Sequence, residues 1–214
     1  FERRVIGRDV DQGHSVIAAD LDGDGDNDIA ATDYVDGIVF WYENDGAGSF
    51  TERILDPDLR GAYPAHVGDV DQDGDLEVVA VAWDSKQFFI FEGNGDLNAP
   101  FPVALLDNVW SSPAVGNMDA DPEKEVVFAS NGPRVYAFNH DGTELIDGDS
   151  NAGTNGVFKI HGSSWNFGSP SLADLDGDGR EDIILPAASG QLHAWRGDGT
   201  SLPGFPYAAT DNIS

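Results

Sequence analysis

Apolar residues in this chain come in short runs, and Asp- or Gly-rich turns break each run before it can complete a helical period. Four of the runs are β-branched or aliphatic and read as strands: Ile29-Ala-Ala, Val78-Val-Ala-Val-Ala, Val126-Val-Phe-Ala and Ile183-Ile-Leu. Each is preceded by a segment of small and apolar residues, namely Ser15-Val-Ile-Ala-Ala, Pro64-Ala-His-Val-Gly, Ser112-Pro-Ala-Val-Gly and Ser169-Pro-Ser-Leu-Ala. Each is followed by a run that places an aromatic residue four positions before a glycine: Tyr42 and Gly46, Phe91 and Gly95, Phe138 and Gly142, Trp195 and Gly199. The unit thus reads strand, acidic turn, strand, turn, aromatic strand, glycine turn and a fourth strand such as Phe50-Thr-Glu-Arg-Ile-Leu.

Four short antiparallel strands per roughly 50 residues describe a propeller blade better than a sandwich pair. The fold expected is all-β, with four four-stranded blades that form part of a larger propeller. The repeats fall at about 8–55, 56–106, 107–166 and 167–210, and residues 1–7 read as the last strand of a preceding blade. That reading rests on the match of Phe1-Glu-Arg-Arg-Val-Ile to Phe50-Thr-Glu-Arg-Ile-Leu, and of Phe205-Pro to Phe101-Pro at the other end. An open array of this kind leaves blade faces through which the chain is expected to self-associate.

Charge changes the picture. The 214 residues carry 39 Asp and Glu against 11 Lys and Arg, a formal net charge of -28. Such a surface repels phosphate backbones, so no nucleic-acid partner is expected. It also opposes compaction unless cations sit at fixed places. A disordered acidic tail is excluded by the 12 Phe, 5 Trp and 5 Tyr spread along the chain. There is no cysteine for a thiolate site or a disulfide, and no apolar window long enough for a membrane span.

The acid is periodic too. Asp20-Leu-Asp22-Gly-Asp24-Gly-Asp26-Asn-Asp28 recurs as Asp69-Val-Asp71-Gln-Asp73-Gly-Asp75-Leu-Glu77, as Asn117-Met-Asp119-Ala-Asp121-Pro-Glu123-Lys-Glu125 and as Asp174-Leu-Asp176-Gly-Asp178-Gly-Arg180-Glu-Asp182. The starts lie 49, 48 and 57 residues apart, and the four loops hold 19 of the 39 acids. Calcium takes six to eight oxygens, and carboxylates on alternate positions of a tight loop converge on one point. Side chains at positions 1, 3, 5 and 9 are the expected ligands. Position 7 (Asp26, Asp75, Glu123, Arg180) would offer its backbone carbonyl, and a glycine at position 6 permits the sharp turn. A solvated acidic turn is the plain alternative, but four loops in one register oppose it. Magnesium keeps its waters, and zinc or copper would want His or Cys, which the loops lack. An EF-hand or dockerin loop would be flanked by helices, and an EF-hand needs Glu at position 12; here that position is Ala31, Ala80, Phe128 and Leu185.

The loops, the Gly/Ser-Pro-Ala-like strand before them and the period together resemble FG-GAP/VCBS repeats, the blades of integrin-α-type propellers. The resemblance covers nearly the whole chain. It implies calcium, three to four ions, at Asp20, Asp22, Asp24 and Asp28; at Asp69, Asp71, Asp73 and Glu77; and at Asp174, Asp176, Asp178 and Asp182. The third loop departs from the pattern with Asn117 and with Pro122 in place of the glycine, so a weakened or empty site is expected there.

Such blades occur in adhesins, lectins, lyases and surface structural proteins, so the family is poorly specific for activity. No nucleophile elbow, phosphate loop or zinc-protease motif is present, and the five His are scattered, with His14, His66 and His193 in strands. The expected role is a calcium-stabilised, extracellular module, secreted or at the cell surface, for binding, adhesion or surface assembly. The alternative is the propeller of a carbohydrate-active enzyme such as a polysaccharide lyase, against which the scarcity of basic residues argues. A carbohydrate or protein is the expected ligand. Tyr42 and Trp195 are expected to pack between blades, whereas Trp110 and Trp165 are candidate ligand contacts. The extra residues of the long third repeat, between Thr143 and Phe167, carry Asp147, Asp149, Asn151, Asn155, Lys159, His161 and Trp165, a mixture able to bind a sugar or line an interface.

Overall fold

The structure is a computed structural model, and it describes residues 5–7, 12–56, 58–150, 155–162 and 168–208. The segment read as a preceding strand falls partly outside these residues, as do Asn151, Trp165 and the last residues of the chain. Sixteen β-strands and no helix are present among the described residues. No helix long and apolar enough to cross a membrane occurs among them.

The strands form four separate four-stranded antiparallel sheets of the propeller-blade type. The first runs in chain order through β1 (Gly13–Ala19), β2 (Asp28–Asp33), β3 (Ile38–Asn44) and β4 (Phe50–Asp56). The second comprises β5 (Ala62–Gly68), β6 (Glu77–Ala82), β7 (Gln87–Phe91) and β8 (Val103–Ala104). The third holds β9 (Ala114–Gly116), β10 (Glu125–Ala129), β11 (Arg134–Phe138) and β12 (Val157–Ile160). The fourth holds β13 (Ser171–Ala173), β14 (Asp182–Pro186), β15 (Gln191–Trp195) and β16 (Tyr207–Ala208). Simple up-and-down order follows from the connections, all of which but that from β11 to β12 are too short for a crossover. Most of the extra length of the third repeat lies in the connection from β11 to β12.

The chain divides into two compact units. One contains the chain up to Asp69 and again Asp73–Val103; the other contains Val70–Gln72 and the chain from Ala104 onward. In the first unit the sheets of β1–β4 and β5–β8 share a core that includes Val39, Trp41, Val78, Ala80, Phe89 and Phe91. A smaller cluster on the other face of the first sheet joins Phe40 and Tyr42 to Ile6, Ile29 and Phe50. In the second unit, Met118, Val127, Phe158, Ile183, Leu185 and Trp195 form the core. Trp195 therefore packs between two sheets as expected, while Tyr42 lies on the face of the first sheet that meets Ile6.

Central strands β6 and β10 are buried at every residue, which is why they read as unbroken apolar runs rather than alternating ones. The edge strand β1 is open instead, and Val16 is 73% exposed. Each aromatic strand ends in its glycine turn with φ of 62° at Gly46, 89° at Gly95, 77° at Gly142 and 77° at Gly199. This left-handed conformation explains why glycine recurs there. At Gly46 a Cβ would also collide with the Asp26 carboxylate, which lies over the turn.

Candidate metal centres

Each acidic loop is the connection between the first and second strands of its sheet, so pairing of those strands folds the nine residues back on themselves. Position 9 opens the second strand and is the deepest part of the loop. Asp28 and Glu77 are 0% exposed, Glu125 is 1% and Asp182 is 2%. A carboxylate is seldom buried without partners. Here the N–H of position 2 supplies one in three loops: Leu21 donates to Asp28 Oδ2 at 3.0 Å, Met118 to Glu125 Oε2 at 2.5 Å and Leu175 to Asp182 Oδ2 at 2.9 Å. Asn44 N–H donates to the other oxygen of Asp28 at 2.8 Å.

Around this buried acid the loops gather further carboxylates. Oxygens of Asp20, Asp22 and Asp28 lie within 4.8 Å of one another, as do those of Asp69, Asp71 and Glu77, and of Asp174, Asp176 and Asp182. These are positions 1, 3 and 9. At position 5, Asp24, Asp73 and Asp178 each accept the N–H of position 7, from Asp26, Asp75 and Arg180, at 2.9 Å. Asp24 and Asp178 stand outside the triads, while Asp73 lies within 4.8 Å of Glu92, an acid the periodicity did not single out. The side chains of Asp26, Asp75, Glu123 and Arg180 join none of these groups.

Position 6 holds the loop closed. Its φ is 97° at Gly25, 105° at Gly74 and 89° at Gly179. In two loops its N–H donates to position 1, from Gly25 to Asp20 Oδ2 at 3.0 Å and from Gly179 to Asp174 Oδ2 at 3.0 Å. Position 4 also turns left-handed, at Gly23, Gln72 and Gly177.

The third loop is built otherwise. Pro122 can neither reach a positive φ nor donate an N–H, and Ala120 at position 4 is not left-handed. Asn117 Nδ2 donates inward, to the carbonyl of Asp121 at 2.6 Å and towards that of Glu123 at 3.4 Å. Its backbone N–H donates to Glu181 Oε2 at 3.0 Å. The carboxylates that meet are Asp119, Asp121 and Glu125, positions 3, 5 and 9.

The electrostatics follow the geometry. Burial, with the nearby charges of Asp119 and Asp121, pushes the Glu125 carboxyl up to about 7. Burial also raises Asp22, Asp121 and Asp182, each helped by neighbouring carboxylates. Asp174 moves the other way, because the N–H groups of Gly179, Gly177 and Asp178 stabilise its charged form.

A divalent cation fits these loops on two grounds. The donors are all hard oxygens, and Asp20 Oδ1 is a buried carboxylate oxygen with no hydrogen-bond partner. In the first loop Asp20, Asp22 and Asp28 would hold the ion, whose charge would offset theirs.

The remaining sequence candidates are mostly engaged with the fold. In the third-repeat extension, Asn155 is buried and donates to Asp149 at 3.0 Å, Lys159 donates to the carbonyl of Gly199 at 2.7 Å, and His161 lies 4.7 Å from His193. Trp110 is 38% exposed.

Residues 20–80 match the model of the FG-GAP-like repeat family. Acidic clusters of the kind seen here are typical of FG-GAP calcium sites. No curated protein matches the sequence. Among solved structures, BBS1N in complex with ARL6DN is similar with a TM-score of 0.57 and 15% identity, over 91% of this chain and 57% of that one. The V. cholerae biofilm matrix protein Bap1 is similar with a TM-score of 0.53 and 19% identity, over 90% of this chain and 30% of that one. This chain spans less than two thirds of either, and at such identity the likeness speaks for the propeller fold alone.

Proposed function

We propose that this chain is a calcium-stabilised propeller module of a secreted or cell-surface protein, serving binding, adhesion or surface assembly. The observation that carries the calcium reading is the buried position-9 carboxylate in all four loops, each with two further acids within 4.8 Å. Such a group costs several kcal/mol to keep charged in a folded chain unless a cation joins it. A module with the ~10⁻⁴–10⁻³ M dissociation constants of extracellular calcium sites would be filled outside the cell. One of the two similar structures is a biofilm matrix protein and the other a protein bound to a partner, which supports a binding role.

Thermal melts with calcium and with chelator, at low ionic strength, test the calcium reading. A higher melting temperature with calcium is expected, and superimposable curves would reduce the loops to solvated acidic turns. For the binding role, the calcium-loaded chain is passed over immobilised neutral and acidic glycans and over matrix protein. Retention is expected, and its absence on all three would leave a purely structural spacer.

A further inference from the structure

The residue directly after the recurring aromatic differs from repeat to repeat: Glu43, Glu92, Asn139 and Arg196. In the fourth sheet this residue reaches the acidic loop. Arg196 donates from Nε at 2.8 Å to Oδ2 of Asp176, and its Nη2 lies 2.6 Å from the same oxygen. Asp176 belongs to the triad with Asp174 and Asp182. A fixed positive charge therefore sits on a carboxylate that a bound cation would need. In the first loop the same register position holds Glu43, and the basic group nearby, Arg53, is paired with Glu43 at 2.8 Å rather than with the triad. Arg196 also has somewhere else to go: its Nη1 lies 3.5 Å from Thr200 Oγ1, whose hydroxyl donates to Asp198 at 2.6 Å. A small cavity of about 90 Å³, whose lining includes Asp178, Arg180, Asp182, Arg196 and Asp198, adjoins the pair.

We propose that Arg196 is a tethered counter-cation of the loop 174–182, neutralising Asp176 when no ion is bound and releasing it towards Asp198 when one enters. This rests on the calcium reading above. The consequence is a division of labour between loops with the same Asp and Gly pattern. Among the described residues the loop 20–28 has no internal cation on its triad, and it depends on calcium for its shape. The loop 174–182 keeps its shape without calcium, binds it more weakly and exchanges it.

Calorimetric calcium titration of the whole chain, comparing wild type with R196Q, R196K and D176N, tests this. R196Q is expected to tighten one site by roughly tenfold, the size of the repulsion that a unit charge at about 5 Å exerts on a divalent ion in a water-like dielectric. R196K, which keeps the charge but lacks the planar fork, should fall between. D176N should lose one ion. In chelator R196Q should melt below wild type, and in saturating calcium it should not. If R196Q binds calcium as wild type does, or melts lower by the same amount in both conditions, Arg196 is a structural pair and the proposal is overturned. If neither wild type nor R196Q binds calcium, the calcium reading itself fails, a distinct result.

Discussion

Two loops of the second unit, 174–182 and 117–125, bring three carboxylates together by different means. In the first of them the backbone does the work: Gly177 and Gly179 take positive φ, and three N–H groups fix Asp174 as a charged acceptor. In the second, Pro122 removes both the φ and the donor, and the Asn117 amide donates to loop carbonyls from within. Both loops nevertheless bury a position-9 acid against the N–H of position 2. Gathering acids is therefore a property of the strand pairing that follows the loop, whereas shaping a cation site depends on positions 1 and 6.

The largest effect expected is that of chelation. At calcium about tenfold above its dissociation constant each filled site adds about 1.4 kcal/mol, so three complete loops contribute about 4 kcal/mol. Calcium stoichiometry near three per chain is expected, and four equal sites would erase the contrast between the loops. Next come Glu125→Ala, which strands the buried N–H of Met118, and Asp182→Ala, which strands the half-buried N–H of Leu175, at a cost of about 1–3 kcal/mol for the first and less for the second. Both should destabilise the protein in chelator, but only Asp182→Ala should also lose a calcium ion by calorimetry. Smaller again is the gain from Asn117→Asp combined with Pro122→Gly, which restores the donor and the turn. It should add one ion and about 1.4 kcal/mol in calcium, read as a rise in melting temperature absent in chelator.

The subtlest prediction concerns pH. The Glu125 carboxyl is pushed up to about 7 from an ordinary value of 4.5, so folding favours its protonated form. Its stabilising contribution is complete below 4.5 and is lost as pH rises through about 7. In chelator, wild type should therefore lose stability relative to Glu125→Gln across that interval. A constant difference between the two melts would remove Glu125 as the titrating group.

Much of this was legible along the chain because each repeat is local. The strand runs, the glycine four residues after each aromatic and the position-6 glycines all reflect backbone conformations confined to a few residues, and the φ values at Gly25 and Gly46 bear that out. The departure at Asn117 and Pro122 was visible for the same reason. Which acids meet was less legible. Positions 1, 3, 5 and 9 read as equivalent ligands, yet Asp24 and Asp178 stand outside the triads, while Asp121 turns into the triad of its own loop. That choice depends on side-chain rotation against a closed turn, which spacing does not encode.

The sequence by itself determined an all-β chain of repeated four-stranded sheets, because hydrophobic period, turn residues and acid spacing all act within one repeat. Only the tertiary structure decided that Asp28, Glu77, Glu125 and Asp182 are the buried acids of their loops, that Arg196 lies on Asp176 across 20 residues, and that Lys159 reaches Gly199 across 40. Burial and pairing of charge depend on which strands and sheets come to lie beside a loop, and that is settled only when the chain packs.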